Sequence, residues 1–593
     1  MGMLSVTAAQ DPQDKSGSLA ILISPRTVRS GEILRVLSAG EEEVKGLSIE
    51  LQGSPETIPS LKTKSGGGPP YWWSAEFRVP RNGNYTLLFY THSLLRKKKI
   101  LSSQRLSIPT EEPRQNPGRS VWPVELEWTR ATENLYSAWL DALFHDDDER
   151  ATWKALHDVT RNPEKNVLYN HLRLGEDSPG GKNAIDLEPD CADNPYFLRA
   201  YFAWKLRLPF GFSECSRGTL YRAPECNRWL TNAMERTVGD EARACNLFFR
   251  LVMNTIQSGS SRTMLNEEKS DFYPVPLTRR DLRPGVLFAD CYGHSLVIVR
   301  WIPQTEDHPG ELYAVDAQPD GTIGIKRFWQ GNFLFKTDEV IGAPGFKAFR
   351  PIVPDKGGLR LLRNSEIAKS ENYGNFSLQQ QKMPAAEFYD TMERLINPQP
   401  LDPKTALYDL FKAFHEQLLV RVLSVSNGED HARAHPGSII PMPSGPSVFE
   451  TMGLWEDFST PNRDLRLLIA IDALSEFPDR VVKLPKLYKL PKKKTPSEVK
   501  EELLELHQKW AKEMSITYIR SNGTRQTLTL EEILRRRDAF EMAYNPNDCA
   551  EVRWGAPKGS AEFSSCTRRA PESQQQRMKA MRQWFHKRFH PME

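Results

Sequence analysis

The sequence predicts a multi-domain α+β protein, and three observations lead to this fold class. Short strand-like runs separated by turn residues fill residues 18–108, residues 120–355 mix helical and strand patterns, and helical spacing dominates residues 360–593. With 593 residues, the chain is too long for one hydrophobic core. Its hydrophobic fraction of 39% is enough to build several cores.

The N-terminal region is predicted to be an immunoglobulin-like β-sandwich. Its strand-like runs lie at residues 19–23, 33–36, 47–51, 75–79 and 85–90. Ser-Gly, Gly-Ser-Pro and Asn-Gly-Asn turn signals separate these runs. About 90 residues of short strands at this spacing are typical of such a sandwich.

Helical patterns outside the N-terminal region have apolar residues three and four apart. They lie at residues 134–144, 153–174, 406–425, 463–476, 496–514, 530–543 and 574–590. The last of them is basic. Residues 485–496, between the helical patterns at 463–476 and 496–514, combine lysines with prolines. This composition predicts an exposed linker.

Composition and charge exclude some classes of function. The 79 basic and 76 acidic residues nearly cancel, which leaves a net charge of +3 and no overall field for nucleic acid or a membrane surface. We find no run of about 18 apolar residues, so no transmembrane segment is predicted. No phosphate-binding glycine loop and no serine nucleophile elbow occur, and we expect no cofactor and no metal. The oligomeric state stays open.

Cysteine placement indicates an oxidising compartment. Of the seven cysteines, Cys215, Cys226, Cys549 and Cys566 lie in polar, turn-rich segments, which favours disulfides and a periplasmic or secreted location. The alternative is a set of reduced cysteines in the cytoplasm. Residues 3–10 resemble the end of a secretion signal but lack its charged start and full apolar stretch, so a disordered tail is the other interpretation.

Cys191 is the candidate nucleophile. It lies in the sequence Pro-Asp-Cys-Ala-Asp at 189–193, directly before an apolar helical run at 195–206. A thiol at a helix N-terminus interacts with the positive end of the helix dipole, which lowers its pKa and favours the reactive thiolate. The alternative is that Asp190 caps the helix and Cys191 is inert.

His294 and Asp316 are the candidate base and its orienting carboxylate. A strand-like run follows His294 at 295–301, and a second one at 311–316 ends on Asp316. With a turn centred near residues 305–306, antiparallel pairing places Asp316 within side-chain reach of His294. A carboxylate there would orient the imidazole and stabilise its charged form. The alternative is a hairpin whose two polar ends have no joint role.

Residues 186–320 resemble the papain-like bacterial superfamily of NlpC-type cell-wall peptidases and transglutaminase-like thiol enzymes. Asp-Cys-Ala at 190–192 resembles the opening of the NlpC-type nucleophile helix, and Arg-Pro-Gly-Val-Leu at 283–287 resembles the stretch before the catalytic histidine. Residues 293–299 resemble the histidine strand. Residues 313–317, Tyr-Ala-Val-Asp-Ala, are closer to the transglutaminase-like pattern.

Three features depart from the NlpC-type pattern. The spacing from His294 to Asp316 is longer than in NlpC-type enzymes and nearer the transglutaminase-like pattern. Asp193 stands where glycine usually follows the nucleophile pair, and about 100 residues separate Cys191 from His294, which implies a helical insertion. These departures leave the subfamily and its substrate open.

The resemblance implies a cysteine peptidase or amidase with a Cys191, His294 and Asp316 triad. Its expected substrate is a cell-wall (peptidoglycan) peptide or a protein amide. Two alternatives remain: transglutaminase-like acyl transfer, and a non-catalytic binding or scaffold protein with a degenerate site.

Two other segments have weaker functional interpretations. Cys291 and His294 could form half of a zinc site, but no second pair at metal-ligand spacing follows. Cys291 as the nucleophile would lack a helix dipole. Residues 455–461 form an aromatic and acidic loop that predicts either a substrate groove or packing between domains.

Overall fold

The structure is a computed structural model that describes most of the chain. The described residues are 19–53, 56–92, 97–108, 118–145, 152–219, 221–306, 308–318, 321–336, 342–449, 453–589 and 591. The predicted leader or tail at residues 3–10 lies outside them. The architecture is mixed α/β, with several antiparallel sheets and a helical C-terminal region.

Two four-stranded antiparallel sheets form the N-terminal region. Their strands are β1 (Ala20–Ser24), β2 (Ile33–Gly40), β3 (Ser48–Gln52), β4 (Thr57–Ile58), β5 (Ser60–Gly67), β6 (Tyr71–Arg78), β7 (Gly83–His92) and β8 (Lys98–Ile108). One sheet has the order β1-β2-β6-β5 and the other β4-β3-β7-β8. Strands occur at all five predicted runs. Strands β4, β5 and β8 were not predicted, because their side chains are mostly polar and exposed.

Strand β6 joins the N-terminal region to the rest of the protein. Trp73, Ala75 and Phe77 alternate into the core between the two sheets. Trp72 points to the opposite face and packs into the hydrophobic core of the central region, where it is 1% exposed. Strands β1, β2 and β6 of this sheet therefore bury side chains on both faces, and the two regions share an apolar interface.

The central region is built around a seven-stranded antiparallel sheet. Its helices are α1 (Arg130–Leu143), α2 (His157–Thr160), α3 (Asp193–Leu206), α4 (Glu241–Thr255) and α5 (Ser258–Ser261). Its strands are β9 (Thr152–Trp153), β10 (Gly211–Cys215), β11 (Cys226–Thr231), β12 (Phe272–Pro274), β13 (Leu287–Ala289), β14 (Ser295–Ile302), β15 (Glu311–Ala317), β16 (Ile323–Arg327), β17 (Gly345–Phe349), β18 (Ile352–Asp355) and β19 (Gly358–Leu361). The large sheet has the order β12-β17-β13-β14-β15-β16-β9, while β10-β11 and β18-β19 form separate hairpins.

The helix predicted at residues 153–174 is wrong. Helix occurs there only at α2, and the rest consists of turns around polar side chains. Asn166 is fully buried and accepts hydrogen bonds from the Trp139 indole and the Leu168 backbone N–H. A buried asparagine that binds main-chain groups stabilises turns instead of a helix.

The C-terminal region is helical, as predicted. Its helices are α6 (Asn364–Ile367), α7 (Ala385–Ile396), α8 (Pro403–Ala434), α9 (Leu454–Phe458), α10 (Pro461–Lys483), α11 (Pro496–Glu513), α12 (Leu530–Arg535), α13 (Arg537–Phe540), α14 (Ala550–Arg553) and α15 (Glu572–His586), with short 3-10 turns at Gly445–Phe449, Pro485–Leu487 and Phe563–Ser565. One hairpin was not predicted and consists of β20 (Ser515–Ile519) and β21 (Arg525–Thr529). Its signal was present, because Asn-Gly at 522–523 between alternating residues is a hairpin pattern.

Two disulfides cross-link the described residues. Cys215 pairs with Cys226 across β10 and β11, and Cys549 pairs with Cys566. Cys191, Cys245 and Cys291 are free thiols. No described helix combines the length and the apolar character needed to cross a bilayer.

A thiol titration checks this pairing. The two disulfides leave three of the seven cysteines as thiols, so the unfolded, unreduced protein should react with three equivalents of a thiol reagent. Prior reduction should raise the number to seven. Seven equivalents without reduction would show that the cysteines are unpaired in the purified protein.

Candidate active site

Cys191 lies in a turn at the start of the buried helix α3. The Asp190 carboxylate accepts hydrogen bonds from the backbone N–H groups of Ala192 at 2.8 Å and Asp193 at 3.1 Å. Asp190 therefore has the capping role that the alternative interpretation gave it. Every residue of α3 is buried, so the turn that carries Cys191 is anchored in the core.

His294 is held by a tight loop between β13 and β14. The buried Asp290 carboxylate accepts hydrogen bonds from the backbone N–H groups of Tyr292 at 2.8 Å and His294 at 3.0 Å. The Asp290 N–H donates in return to the His294 carbonyl oxygen at 2.9 Å. Gly293 has a φ of 92°, which a side chain disfavours, and this conformation turns the chain into β14.

Asp316 lies beside His294 on the next strand. In the β14–β15 ladder Leu296 faces Asp316, so Asp316 is the diagonal neighbour of His294 on the same face of the sheet. Asp316 Oδ1 lies 2.9 Å from His294 Nε2. This is an ion-pair distance, and within the described residues Oδ1 has no hydrogen bond of good angle.

The second oxygen of Asp316 has its own partners. The Gln318 side-chain amide donates to Oδ2 at 2.5 Å, and Lys326 Nζ lies 4.0 Å from the same oxygen. Burial acts to raise the pKa of Asp316, but the interactions with His294 and Lys326 outweigh burial and hold the pKa below its usual value. The carboxylate is therefore ionised at neutral pH.

Cys191 lies next to the histidine strand in space. The backbone N–H of Ser295, the residue after His294, is near enough to the Cys191 sulfur to act to lower the pKa of the thiol. Cys191 is half-buried, and with His294 and Asp316 it lines one cavity of about 1160 Å³. The structure thus brings the three predicted residues to one site; their catalytic roles stay a prediction.

The expected lowering of the Cys191 pKa is wrong. Burial raises the pKa of this thiol well above its usual value, and the neighbouring carboxylates of Asp190 and Asp316 raise it further. The Ser295 N–H opposes this shift but does not cancel it. Cys191 at rest is therefore a neutral thiol, and a base must remove its proton to make it reactive.

The C-terminal region closes one side of the cavity. The segment predicted as an aromatic and acidic loop instead forms helix α9 (Leu454–Phe458), and it contributes Trp455, Glu456 and Asp457 to the lining. Trp455 is buried, and its indole donates to the Val448 carbonyl oxygen at 3.0 Å, so it packs this helix against the preceding turn. The exposed Glu456 and Asp457 face the cavity. The segment therefore packs through Trp455 and lines the cavity through its acidic residues, and a substrate groove here stays a prediction.

Several residues next to the triad were not predicted. Asp290 and Gln318 support His294 and Asp316, and Arg466 and Arg463 contact these two supporting residues from helix α10. Only Asp290 could have been recognised from the local sequence, because it lies four residues before His294. The arginines lie about 150 residues beyond Asp316 and gave no local signal.

The half-zinc-site interpretation has no support in the geometry. Cys291 is fully buried in the hydrophobic core of the C-terminal region. Within the described residues, the one group of three side chains with metal-ligand spacing is Cys549, Glu551 and Cys566. Its two cysteines are joined in a disulfide, which removes their thiolates as ligands.

Comparison with known proteins leaves the family open. Neither protein-family models nor curated proteins gave a match to this chain. The class of protein must therefore be argued from the site itself.

Gly293→Ala tests the loop that carries His294. A Cβ on Gly293 would lie 2.5 Å from the Cβ and the carbonyl oxygen of Ser258, in addition to the strain of a positive φ. We expect a loss of about 3 kcal/mol in the free energy of unfolding, measured by urea titration. Gly31→Ala is the matched control, because Gly31 has a φ of 85° with nothing within 4 Å of an added Cβ. It should cost about 1 kcal/mol. Equal losses in the two variants would contradict the tight packing of the His294 loop.

Proposed function

We propose that this protein is a cysteine-nucleophile amide hydrolase in which Cys191 attacks, His294 is the base and Asp316 orients the base. The observation that carries the proposal is the 2.9 Å contact between His294 Nε2 and Asp316 Oδ1, in a cavity that Cys191 also lines. A carboxylate on one ring nitrogen leaves Nδ1 to accept a proton from the thiol.

The raised pKa of Cys191 defines the order of proton transfer. His294 removes the thiol proton as the sulfur attacks the amide carbonyl, which forms the C–S bond. The imidazolium is stabilised by Asp316 and then protonates the leaving amine as the C–N bond breaks. Water attacks the thioester with His294 as base, and the acid product and the thiol are released.

The arrangement of the elements supports a papain-like core. Helix α3, which follows Cys191, packs against β14, the strand that follows His294. Asp316 lies on the adjacent antiparallel strand β15. A nucleophile helix packed on a histidine strand is the arrangement that the sequence resemblance implies. The two packed sheets of the N-terminal region support the immunoglobulin-like assignment in the same way.

The disulfides support an exported protein. Pairs such as Cys215–Cys226 and Cys549–Cys566 persist in oxidising compartments and are rare in the cytoplasm. A periplasmic or secreted location would give the enzyme access to cell-wall peptides, which we propose as its substrate class together with protein amides.

Acyl transfer to an amine is a second candidate function. Asp190, Glu456 and Asp457 line the cavity next to Cys191. Carboxylates at this position would attract a cationic amine toward the thioester, which is the acceptor that a transferase needs.

Alkylation by iodoacetamide tests the activated thiol. At pH 7 we expect Cys191 to be labelled at least ten times faster than in His294→Ala, because only the imidazole removes the proton from this high-pKa thiol. In His294→Ala, labelling should increase only above the pH at which an ordinary cysteine ionises. Peptide mass spectrometry measures the rate at each cysteine, and the buried Cys245 and Cys291 should stay unlabelled.

His308→Ala is the control for this experiment, since His308 is an exposed histidine of the same hairpin. It should be labelled at the wild-type rate. Equal rates for wild type and His294→Ala would overturn the enzymatic proposal and favour a binding or scaffold protein.

Product analysis separates hydrolysis from transfer. With peptidoglycan peptides or a protein amide as substrate, we expect free acid as the main product, and Asp316→Asn should lower kcat by roughly 10²- to 10⁴-fold. Added primary amine should leave the acid as the main product. Predominant amide adduct at millimolar amine would assign the chain to the transferase class.

A further inference from the structure

The search for a further site leads to the N-terminal part of helix α10. Arg463 and Arg466 are three residues apart, so both lie on one face of the helix, and this face lines the cavity. Each arginine contacts a residue that supports a member of the triad. These contacts connect a helix of the C-terminal region to both sides of the imidazole.

Arg466 acts on the loop that carries His294. Its guanidinium forms an ion pair with Asp290 Oδ2, the oxygen that does not bind the loop backbone, and also donates to the Asn332 carbonyl oxygen at 3.1 Å. Asp290 is 1% exposed. Without Arg466 this buried charge would lose its counter-ion, and the loop would have to open to solvate it.

Arg463 acts on the carboxylate that orients His294. Its guanidinium donates to Gln318 Oε1 at 3.2 Å, while the Gln318 amide nitrogen donates to Asp316. A guanidinium has no acceptor, so it binds only the oxygen of the amide. Arg463 thereby fixes the orientation in which Gln318 presents its N–H to Asp316. Ser424 accepts from the same guanidinium at 2.8 Å and anchors it to helix α8.

Apolar packing supports the same connection. Cys291 and Tyr292, which lie inside the Asp290–His294 loop, belong to the hydrophobic core of the C-terminal region and not to that of the central region. The backbone hydrogen bonds of the loop are thus made within the central region, whereas its apolar side chains pack in the core of the C-terminal region.

We propose that Arg466 and Arg463 are positioning residues of the active site, and that the C-terminal region is a structural part of the catalytic centre. The inference rests on the proposed function. Arg466 holds His294 through Asp290, and Arg463 holds Asp316 through Gln318. Neither arginine has to touch the substrate for this role.

Helix α10 offers a matched control. Arg480 lies in its last turn and forms ion pairs with Asp390 at 2.6 Å and Glu393 at 2.5 Å on helix α7. Its side chain is 22% exposed, close to the 16% of Arg466. Arg480→Gln therefore removes the ion pairs of a similarly exposed arginine from the same helix, outside the cavity lining, although its carboxylate partners are more exposed than Asp290.

The experiment measures Cys191 alkylation against pH in the full-length protein. We expect Arg466→Gln and Arg463→Gln each to lower the rate at pH 7 at least tenfold and to shift the profile to higher pH, toward that of His294→Ala. Arg480→Gln should stay within twofold of wild type. Arg466→Lys keeps the charge and should recover part of the rate. Circular dichroism identifies which variants are folded. If Arg466→Gln does not fold, Arg466→Lys and Arg463→Gln decide whether the arginines position the site.

Three other results would overturn the inference. If wild type reacts faster than His294→Ala while the Arg463 and Arg466 variants follow the wild-type profile, only the positioning role fails. The positioning role also fails if Arg480→Gln lowers the alkylation rate as much as the Arg463 and Arg466 variants do. If wild type and His294→Ala react equally, the proposed function fails and the positioning role fails with it.

Discussion

The buried carboxylate of Asp290 is the interaction on which the site geometry depends. One oxygen accepts two backbone N–H groups and closes the loop that presents His294, while the other pairs with Arg466 from a helix about 175 residues away. A charge with 1% exposure is tolerated only when both oxygens have partners. Local loop geometry and the docking of the C-terminal region are therefore energetically coupled at this group.

The electrostatics of the site favour a neutral thiol at rest. The cavity contains Cys191 next to carboxylates, and burial adds to their effect on the thiol pKa. Burial of Asp316 also strengthens its interaction with His294. The balance favours proton transfer during attack over a stored thiolate–imidazolium pair. In this respect the proposed chemistry resembles general-base catalysis by a serine triad more than that of a thiolate enzyme.

Parts of the fold followed from local patterns and parts did not. Apolar spacing located five of the eight N-terminal strands and the main C-terminal helices, because periodicity records which face of an element is buried. It failed at residues 153–174, where the buried Asn166 replaces helical hydrogen bonds. It missed β5 and β8, since the polar side chains of these exposed strands carry no periodic signal. The Asn-Gly turn at 522–523 was a readable signal that was overlooked.

The sequence by itself determined the order of the site residues: a cysteine before a buried helix, a histidine at the start of a strand, and an aspartate on the next strand in a register set by the turn. These features follow from contacts between residues near in sequence, which local patterns encode. Only the tertiary structure decided the pKa of Cys191 and the roles of Asp290, Gln318, Arg463 and Arg466. Burial and ion pairing depend on segments far apart in the chain, and no local pattern records which of them meet.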